Sequence, residues 1–252
     1  MTGMRYPTLI IGAGFVLLLL LGACSSSRTP EVRDGTAGIN VADAALNGGM
    51  PDTALNITRS ILSSNPRDVG ALERQGTALE QLNQPDAAME AWRRALAVDP
   101  AASVALLGLG RLELSRGSAV DAELRFTRLL AGMPDNRTAR NDLGVAFDLQ
   151  GRHDAAQEIY AKLLALDPND QVASVNLALS LSLSGHADQS VTILHGPGTR
   201  PDAPTRVRQN LAVALALSGN PRAAEKLLLT DLSPGDAAAA LAGYQALDAT
   251  HK

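Results

Sequence analysis

The chain has 252 residues, of which 46% are hydrophobic and 3% are aromatic, and its formal net charge is −4. The apolar content is sufficient for a continuous core. A mildly acidic chain without a basic, aromatic-rich stripe offers no electrostatic basis for binding nucleic acid. Its single cysteine, Cys24, excludes an internal disulfide.

An apolar run opens the chain. Leu9–Leu21 contains 13 apolar or small residues, fewer than the ~20 of a membrane-spanning helix. This is the length of the hydrophobic region of a secretory signal. The run ends in LGAC, which resembles the bacterial lipoprotein signal and implies that residues 1–23 are removed and that Cys24 carries lipid. An ordinary signal peptide or anchor with a chance cysteine is the alternative.

Residues 24–34 are polar, include a proline and show no apolar periodicity, so we expect a flexible tether. Ser25 and Ser26 follow Cys24 without the aspartate that favours retention in the inner membrane. By resemblance to the lipoprotein sorting rule, we expect a lipid-anchored protein of the outer membrane that faces the periplasm. Several acyl chains would hold it firmly, because each buried CH₂ contributes about 0.8 kcal/mol.

After the tether, three sets of positions recur with a step of 34 residues. One set is glycine or asparagine between two apolar stretches, and the other two are small residues within the first and second stretch. The members are Gly49, Asn83, Gly117, Gly151, Gly185 and Gly219; Ala42, Gly76, Gly110, Gly144, Ala178 and Ala212; and Ala54, Ala88, Ala122, Ala156, Ser190 and Ala224. This period and pattern resemble the tetratricopeptide repeat family.

The pattern within each 34-residue unit predicts two antiparallel helices joined by a short turn, where glycine or asparagine tolerates a positive φ. The resemblance implies an all-α fold, a tetratricopeptide-repeat superhelical solenoid of about six helix-turn-helix units over residues 35–238, with a C-terminal capping helix and tail at 235–252. The predicted units are 35–68, 69–102, 103–136, 137–170, 171–204 and 205–238.

Small and large side chains of the central units are predicted to pack together. Trp92, Phe126 and Tyr160 each lie four residues after an alanine of the repeat, on the same helix face. In the two later units, Leu194 and Leu228 occupy the position of these aromatic residues. The predicted structural residues of the repeat are Gly76, Ala88, Trp92, Gly110, Ala122, Phe126, Gly144, Ala156 and Tyr160.

The fifth unit departs from the pattern. Its second helix is expected to end early at His195, because residues 196–204 contain three prolines and two glycines. A tolerated long loop, a hinge and a partner-binding notch are the three interpretations of this break.

The sequence contains no recognisable catalytic or metal-binding motif. His153, His186, His195 and His251 have no partner at metal-ligand spacing, no glycine-rich phosphate loop occurs, and no serine lies in a nucleophile elbow. The recurrent Asp86, Asp154 and Asp188 lie at the starts of second helices, where capping or helix-dipole stabilisation explains them. We therefore expect a protein that is not an enzyme and needs no cofactor or metal.

In the tetratricopeptide family the first helices line a groove that holds a peptide or a partner helix. Carried over by register, the groove residues are Arg111, Asn141, Val145, Asn176, Leu179, Gln209 and Asn210. Asparagine can hold a peptide backbone through both amide groups, although it is also simply common at these positions. The groove has no paired lysines for a terminal carboxylate, and its composition suits a neutral or amphipathic segment.

The lipoprotein signal, the tether, the repeats and the ending Arg206–Pro234 together resemble the TadD-type lipoproteins of the Tad (tight adherence, Flp pilus) secretion system. The resemblance implies a non-catalytic scaffold that assists assembly of the pilus secretion machine by binding the secretin or other export components. An envelope lipoprotein that recruits peptidoglycan-modifying enzymes is the main alternative. An enzyme subunit with a carbohydrate or peptide site is a third interpretation.

Overall fold

The computed structural model describes residues 35–250, which form thirteen helices and no strand. The predicted signal, the tether, Cys24 and His251 lie outside this range. The first helices of the six pairs are α1 (Gly35–Asn47), α3 (Val69–Gln81), α5 (Ser103–Ser115), α7 (Arg137–Leu149), α9 (Gln171–Leu183) and α11 (Thr205–Leu217). The second helices are α2 (Pro51–Ser64), α4 (Pro85–Val98), α6 (Ala119–Gly132), α8 (His153–Leu166), α10 (Ala187–Gly198) and α12 (Pro221–Leu228), and α13 (Pro234–Thr250) follows. Every helix in residues 35–250 is too short or too polar to traverse a lipid bilayer.

The turn inside each pair has the predicted left-handed residue. Asn83 has φ 55°, and the glycines at the five equivalent positions have φ between 67° and 86°. The residue after each of them donates a backbone hydrogen bond back into the first helix, as Gln84 does to the carbonyl of Leu79 at 2.8 Å. Such bonds satisfy carbonyl groups that the helix end leaves free, so the 34-residue spacing of glycine and asparagine marks the turns.

Helices pack along the chain in order, each against the next, and successive first helices also contact one another. Together the first helices therefore form one continuous surface, which we call the first-helix face. The helix α13 packs against α11 and α12 and covers the apolar side of the last pair. Each pair buries its apolar side chains against its neighbours, as expected for a repeat array.

The glycines of the central first helices provide space for aromatic rings. A Cβ atom added to Gly110 would lie 2.6 Å from the Phe126 ring, and one added to Gly144 would lie 2.6 Å from the Tyr160 ring. Trp92 is enclosed by Gly76 of its own unit and by Gly108 of the next. Each ring is buried, so the small residue in the first helix and the large residue in the second helix form one packing unit.

Four of the first helices, α3, α5, α7 and α9, are capped by side chains in two different ways. Asp68, Asn136 and Asp170 each accept a hydrogen bond from a backbone amide in the first turn of the following helix, at 2.9–3.0 Å. The equivalent residue before α5 is Ala102, which has no side-chain acceptor. Glu73 of the preceding unit replaces it, because its Oε1 accepts from the amides of Val104 at 2.9 Å and Ala105 at 3.2 Å.

The recurrent aspartates of the second helices are not caps. Asp86, Asp154 and Asp188 lie in the first turns of α4, α8 and α10, and the residues at the cap position make no side-chain cap bond. Of the two roles expected for these carboxylates, stabilisation of the positive helix N-terminus agrees with this placement.

The expectation that the second helix of the fifth unit ends at His195 is wrong. Helix α10 continues to Gly198 and includes Pro197 one residue before its end, so the lost hydrogen bond and the ring clash of proline affect only the last turn. Gly198 is buried, and a Cβ atom there would lie 2.8 Å from Leu211. Ala203 is also buried. The non-helical connection is therefore short and packed, and the shortest second helix is α12, with 8 residues.

Candidate protein-interaction cleft

Charged side chains join neighbouring first helices across the first-helix face. Arg74 of α3 binds Asp43 of α1 through two hydrogen bonds of 2.8 and 2.9 Å. Arg111 of α5 binds Asp142 of α7 at 2.6 Å. In both pairs the partners are 31 residues apart in sequence. The arginine lies on the later helix in the first pair and on the earlier helix in the second.

The first-helix face contains a cleft of 670 Å³, which we call the central cleft, between α5, α7, α9 and the start of α11. Its charged lining residues are Arg111, Arg137, Asp142, Asp170 and Arg206. Its apolar and amide lining residues include Leu114, Asn141, Val145, Val172 and Asn176. Val172 is 53% exposed, so the cleft presents an aliphatic side chain between charged groups.

A chain of side-chain hydrogen bonds crosses the central cleft. Arg206 donates to the Oδ1 atom of Asn176 at 2.7 Å, and Asn176 donates to the Oδ1 atom of Asn141 at 2.9 Å. Asn141 in turn donates to Asp142 at 3.4 Å. These bonds connect α11, α9 and α7 and fix the orientation of both asparagines.

Four of the seven predicted groove residues line the central cleft: Arg111, Asn141, Val145 and Asn176. Asn176 is only 4% exposed, and its amide oxygen and nitrogen are both bonded to protein groups. This corrects the expectation that Asn176 offers both amide groups to a peptide.

The remaining three predicted groove residues, Leu179, Gln209 and Asn210, are not among the lining residues of the central cleft. The side-chain nitrogen of Asn210 is buried without a hydrogen-bond partner among the described residues. All three lie further along α9 and α11, which also supply Asn176 and Arg206, and their assignment to a partner groove stays a prediction.

Sequence reasoning missed the charged residues at the edges of the cleft. Arg137, Asp170 and Arg206 lie at the starts of α7, α9 and α11 or immediately before them, whereas the register carried over from the family points to the middle of each first helix. Arg137 binds Asp170 at 2.8 Å. An available signal was the occurrence of arginine in the first turn of both α7 and α11.

A partly buried polar network lies between the fourth and fifth units. Asp148 accepts hydrogen bonds from Ser180 at 2.6 Å and from Tyr160 at 3.0 Å, and it lies 2.9 Å from the Nδ1 atom of His153. Burial and the neighbouring Asp148 raise the pKa of the Tyr160 hydroxyl, which keeps it neutral. The network therefore holds α7, α8 and α9 in one arrangement beneath the first-helix face.

A second cleft, of 440 Å³, lies between the start of α9 and the connection from α10 to α11. Arg200 and Asp202 line it and bind each other at 3.0 Å. Its floor includes Val175 and Val207, which belong to the apolar cluster of the fifth and sixth units.

Two of the three described histidines have local structural partners, and the third, His195, is exposed. His153 binds Asp148, and His186 lies 3.2 Å from the hydroxyl of Ser184. Within residues 35–250, no three side chains of His, Cys, Asp or Glu come together as a metal site.

The comparisons with known proteins agree with this architecture. Residues 73–131 and 113–175 match family models that are both described as tetratricopeptide repeat. The chain therefore contains tetratricopeptide repeats, and the predicted all-α repeat fold is confirmed. No curated protein gives a significant match.

Solved structures with similar folds include PilW and a pilF protein of Pseudomonas aeruginosa. PilW, described as a widely conserved type IV pilus biogenesis factor, has TM-score 0.67 and 19% identity over 78% of this chain and 93% of its own. The Pseudomonas aeruginosa pilF structure has TM-score 0.64 and 19% identity over 84% of this chain and 96% of its own. A tetratricopeptide repeat protein from Parabacteroides merdae has TM-score 0.64 and 16% identity, covering 87% of each chain. These similarities show the fold.

Proposed function

We propose that the chain is a non-catalytic scaffold of the outer membrane that binds protein partners and assists assembly of a Tad/Flp pilus secretion machine. Lipid on Cys24 anchors it, the repeats face the periplasm, and the partner is the secretin or another export component.

The observation that carries the proposal is the central cleft. Tetratricopeptide repeats are suited to binding other proteins, and here the first helices present exposed Val172 beside arginine and aspartate side chains. Aliphatic contacts with polar groups at fixed positions are what a peptide segment needs for affinity and orientation. The hydrogen bonds between first helices hold the surface in shape before a partner binds, which lowers the ordering cost of association.

Two further features support a role in pilus assembly. The fold is similar to that of PilW, a type IV pilus biogenesis factor. Independently, the lipoprotein signal and the ending Arg206–Pro234 resemble the TadD-type lipoproteins. A protein tethered by lipid to a membrane raises the effective concentration of its partner there, and assembly of an outer-membrane complex benefits from that.

A catalytic role lacks support in the described part of the chain. Arg111 and Arg137 are each paired with an aspartate, and Asp148 is engaged by Ser180, Tyr160 and His153. Although the Ser180 hydroxyl lies beside the Asp148 carboxylate, Ser180 is fully buried, so these arrangements orient helices and expose no nucleophile to a substrate.

The test is a chemical crosslinking pulldown from the native cell envelope, with the full-length lipidated protein as bait and mass spectrometry as readout. We expect the secretin and other pilus-export components to be enriched over a mock bait. Enrichment of cell-wall hydrolases or synthases in their place would contradict the pilus role and favour the scaffold of peptidoglycan-modifying enzymes.

A further inference from the structure

The central cleft contains one arginine whose charge is not neutralised by a described carboxylate. Arg111 binds Asp142 at 2.6 Å and Arg137 binds Asp170 at 2.8 Å. Arg206 has a different environment, since its hydrogen-bond partner among residues 35–250 is the neutral amide oxygen of Asn176. The cleft lining therefore carries one more positive than negative side chain, although the whole chain has a net charge of −4.

The Arg206 guanidinium is held in place while keeping donors available. Asn176, which is 4% exposed, accepts one hydrogen bond from it at 2.7 Å and is itself fixed by Asn141. A guanidinium has five N–H donors in a planar fork that matches a carboxylate. Arg206 is exposed to solvent, so the donors that Asn176 does not use are accessible to a ligand.

An aliphatic surface accompanies this charge. Val172 is 53% exposed, and the partly exposed Val145 and Leu114 line the same cleft. A ligand that satisfies both features carries an acidic group next to an aliphatic side chain.

We propose that the central cleft binds an extended protein segment through an internal aspartate or glutamate side chain on Arg206 and a neighbouring aliphatic side chain on Val172. This inference rests on the proposed function in one respect, because it takes the first-helix face as the partner-binding surface. An internal side chain is favoured over a chain end because the first-helix face continues along α11 beyond Arg206. The segment therefore has room to extend in both directions. Of the neutral or amphipathic segment expected from the sequence, this proposal selects the amphipathic one and gives it an acidic group.

The probe is a displayed library of random ten-residue peptides, each embedded between fixed linkers so that it has no free carboxyl end. A parallel library contains asparagine and glutamine wherever the first contains aspartate and glutamate. Selection is made against the full-length protein, and the selected peptides are synthesised with amidated ends for measurement of Kd by fluorescence anisotropy. We expect enrichment of one acidic residue beside an aliphatic residue in the first library.

Three variants assign the contact. Arg206→Gln is expected to raise the Kd of an acidic peptide by about tenfold to a hundredfold, the range for a hydrogen bond to a charged group, and to leave the Kd of its amide analogue unchanged. Arg206→Lys keeps the charge without the planar fork and is expected to have an intermediate effect. The matched control is Arg128→Gln, which removes an exposed charge from α6 outside the cleft lining and is expected to change neither Kd. Thermal melts establish that each variant is folded.

The proposal is overturned by selection without acidic enrichment, by failure to select any peptide, or by equal weakening of the acidic peptide and its amide analogue in Arg206→Gln. A matched library with free carboxyl ends is selected in parallel, and binders found only in that library would overturn the internal side chain and indicate a terminal carboxylate. Because the library contains no pilus protein, failure of the pilus role and failure of the acidic contact give separate results.

Discussion

The carboxylate of Glu73 lies 2.9 Å from the backbone nitrogen of Val104, in the next unit of the array. Glu73 therefore caps a helix of the following repeat. That helix, α5, is the central first helix that has alanine at its own cap position. The stability of α5 therefore depends on a residue of α3, and the two units are coupled by a charge-assisted hydrogen bond as well as by apolar packing.

Removal of this cap should destabilise the array. Glu73→Ala is expected to lower the free energy of unfolding by about 0.5–2 kcal/mol, the range measured for loss of helix caps. Urea unfolding monitored by circular dichroism measures the change. The control Glu90→Ala removes an exposed glutamate of α4 and should have little effect.

A second substitution makes the interpretation specific. Ala102→Asp restores the cap residue that Asp68 and Asp170 provide in other units, so it should recover most of the stability that Glu73→Ala loses. A double variant no more stable than Glu73→Ala would show that Glu73 stabilises the fold in some other way.

The pairing of glycine with an aromatic ring makes a further prediction. Gly110→Ala places a methyl group 2.6 Å from the Phe126 ring, and overpacking of this kind costs about 1–3 kcal/mol. The control is Gly132→Ala at the end of α6, where an added Cβ meets nothing within 4 Å. That variant should be neutral or slightly stabilising, because alanine favours helix over glycine. Thermal unfolding compares the two, and equal melting temperatures would contradict the packing account.

Glu113 should make stability depend on pH. It is 6% exposed, one of its carboxylate oxygens has no hydrogen-bond partner among the described residues, and burial raises its pKa. A raised folded pKa means that the folded state favours the protonated carboxyl, so its stabilising contribution is present at low pH and is lost as pH rises through the folded pKa. Glu113→Gln should therefore gain stability relative to the natural protein as pH rises above 4.5, the ordinary pKa.

Urea unfolding across this pH range, with Glu90→Gln as the exposed control, measures the difference. A difference between Glu113→Gln and the natural protein that does not change with pH would show that the carboxylate is not disfavoured by burial.

The anchoring prediction concerns Cys24, outside the described residues. Cys24→Ser should abolish incorporation of labelled palmitate and remove the protein from the outer-membrane fraction, since the thiol is the expected site of lipid attachment. The neighbouring substitution Ser25→Ala should leave labelling and fractionation unchanged. Persistence of Cys24→Ser in the outer membrane would contradict lipid anchoring at this residue.

The sequence predicts those features of the fold that repeat. Gly117 and Asn83 predict left-handed turns because few other residues tolerate positive φ. Their spacing of 34 residues gives the length of one repeat. The contact between Glu73 and Val104 could not be predicted, because a glutamate in a helix gives no indication that it reaches the next unit. Pro197 suggested an early helix end, but its position in the last turn left α10 nearly complete.

For the central cleft, the register of the repeat predicted which helices line it but only some of the lining residues. Arg111 and Val145 point into the cleft from the middle of their helices, as the family pattern implies. Arg206 reaches it from the first turn of α11, and its bond to Asn176 depends on how α11 packs against α9. A position in one repeat does not specify such packing between repeats.

Site-resolved photo-crosslinking in cells tests the central claim most directly. A photoreactive amino acid replaces Val172 in the central cleft or, as the control, Val120 on α6, which is 69% exposed and outside the cleft lining. The account predicts that the Val172 position crosslinks to a pilus-export component such as the secretin and that the Val120 position does not. Equal crosslinking from both positions, or crosslinking of the Val172 position only to cell-wall enzymes, would contradict it.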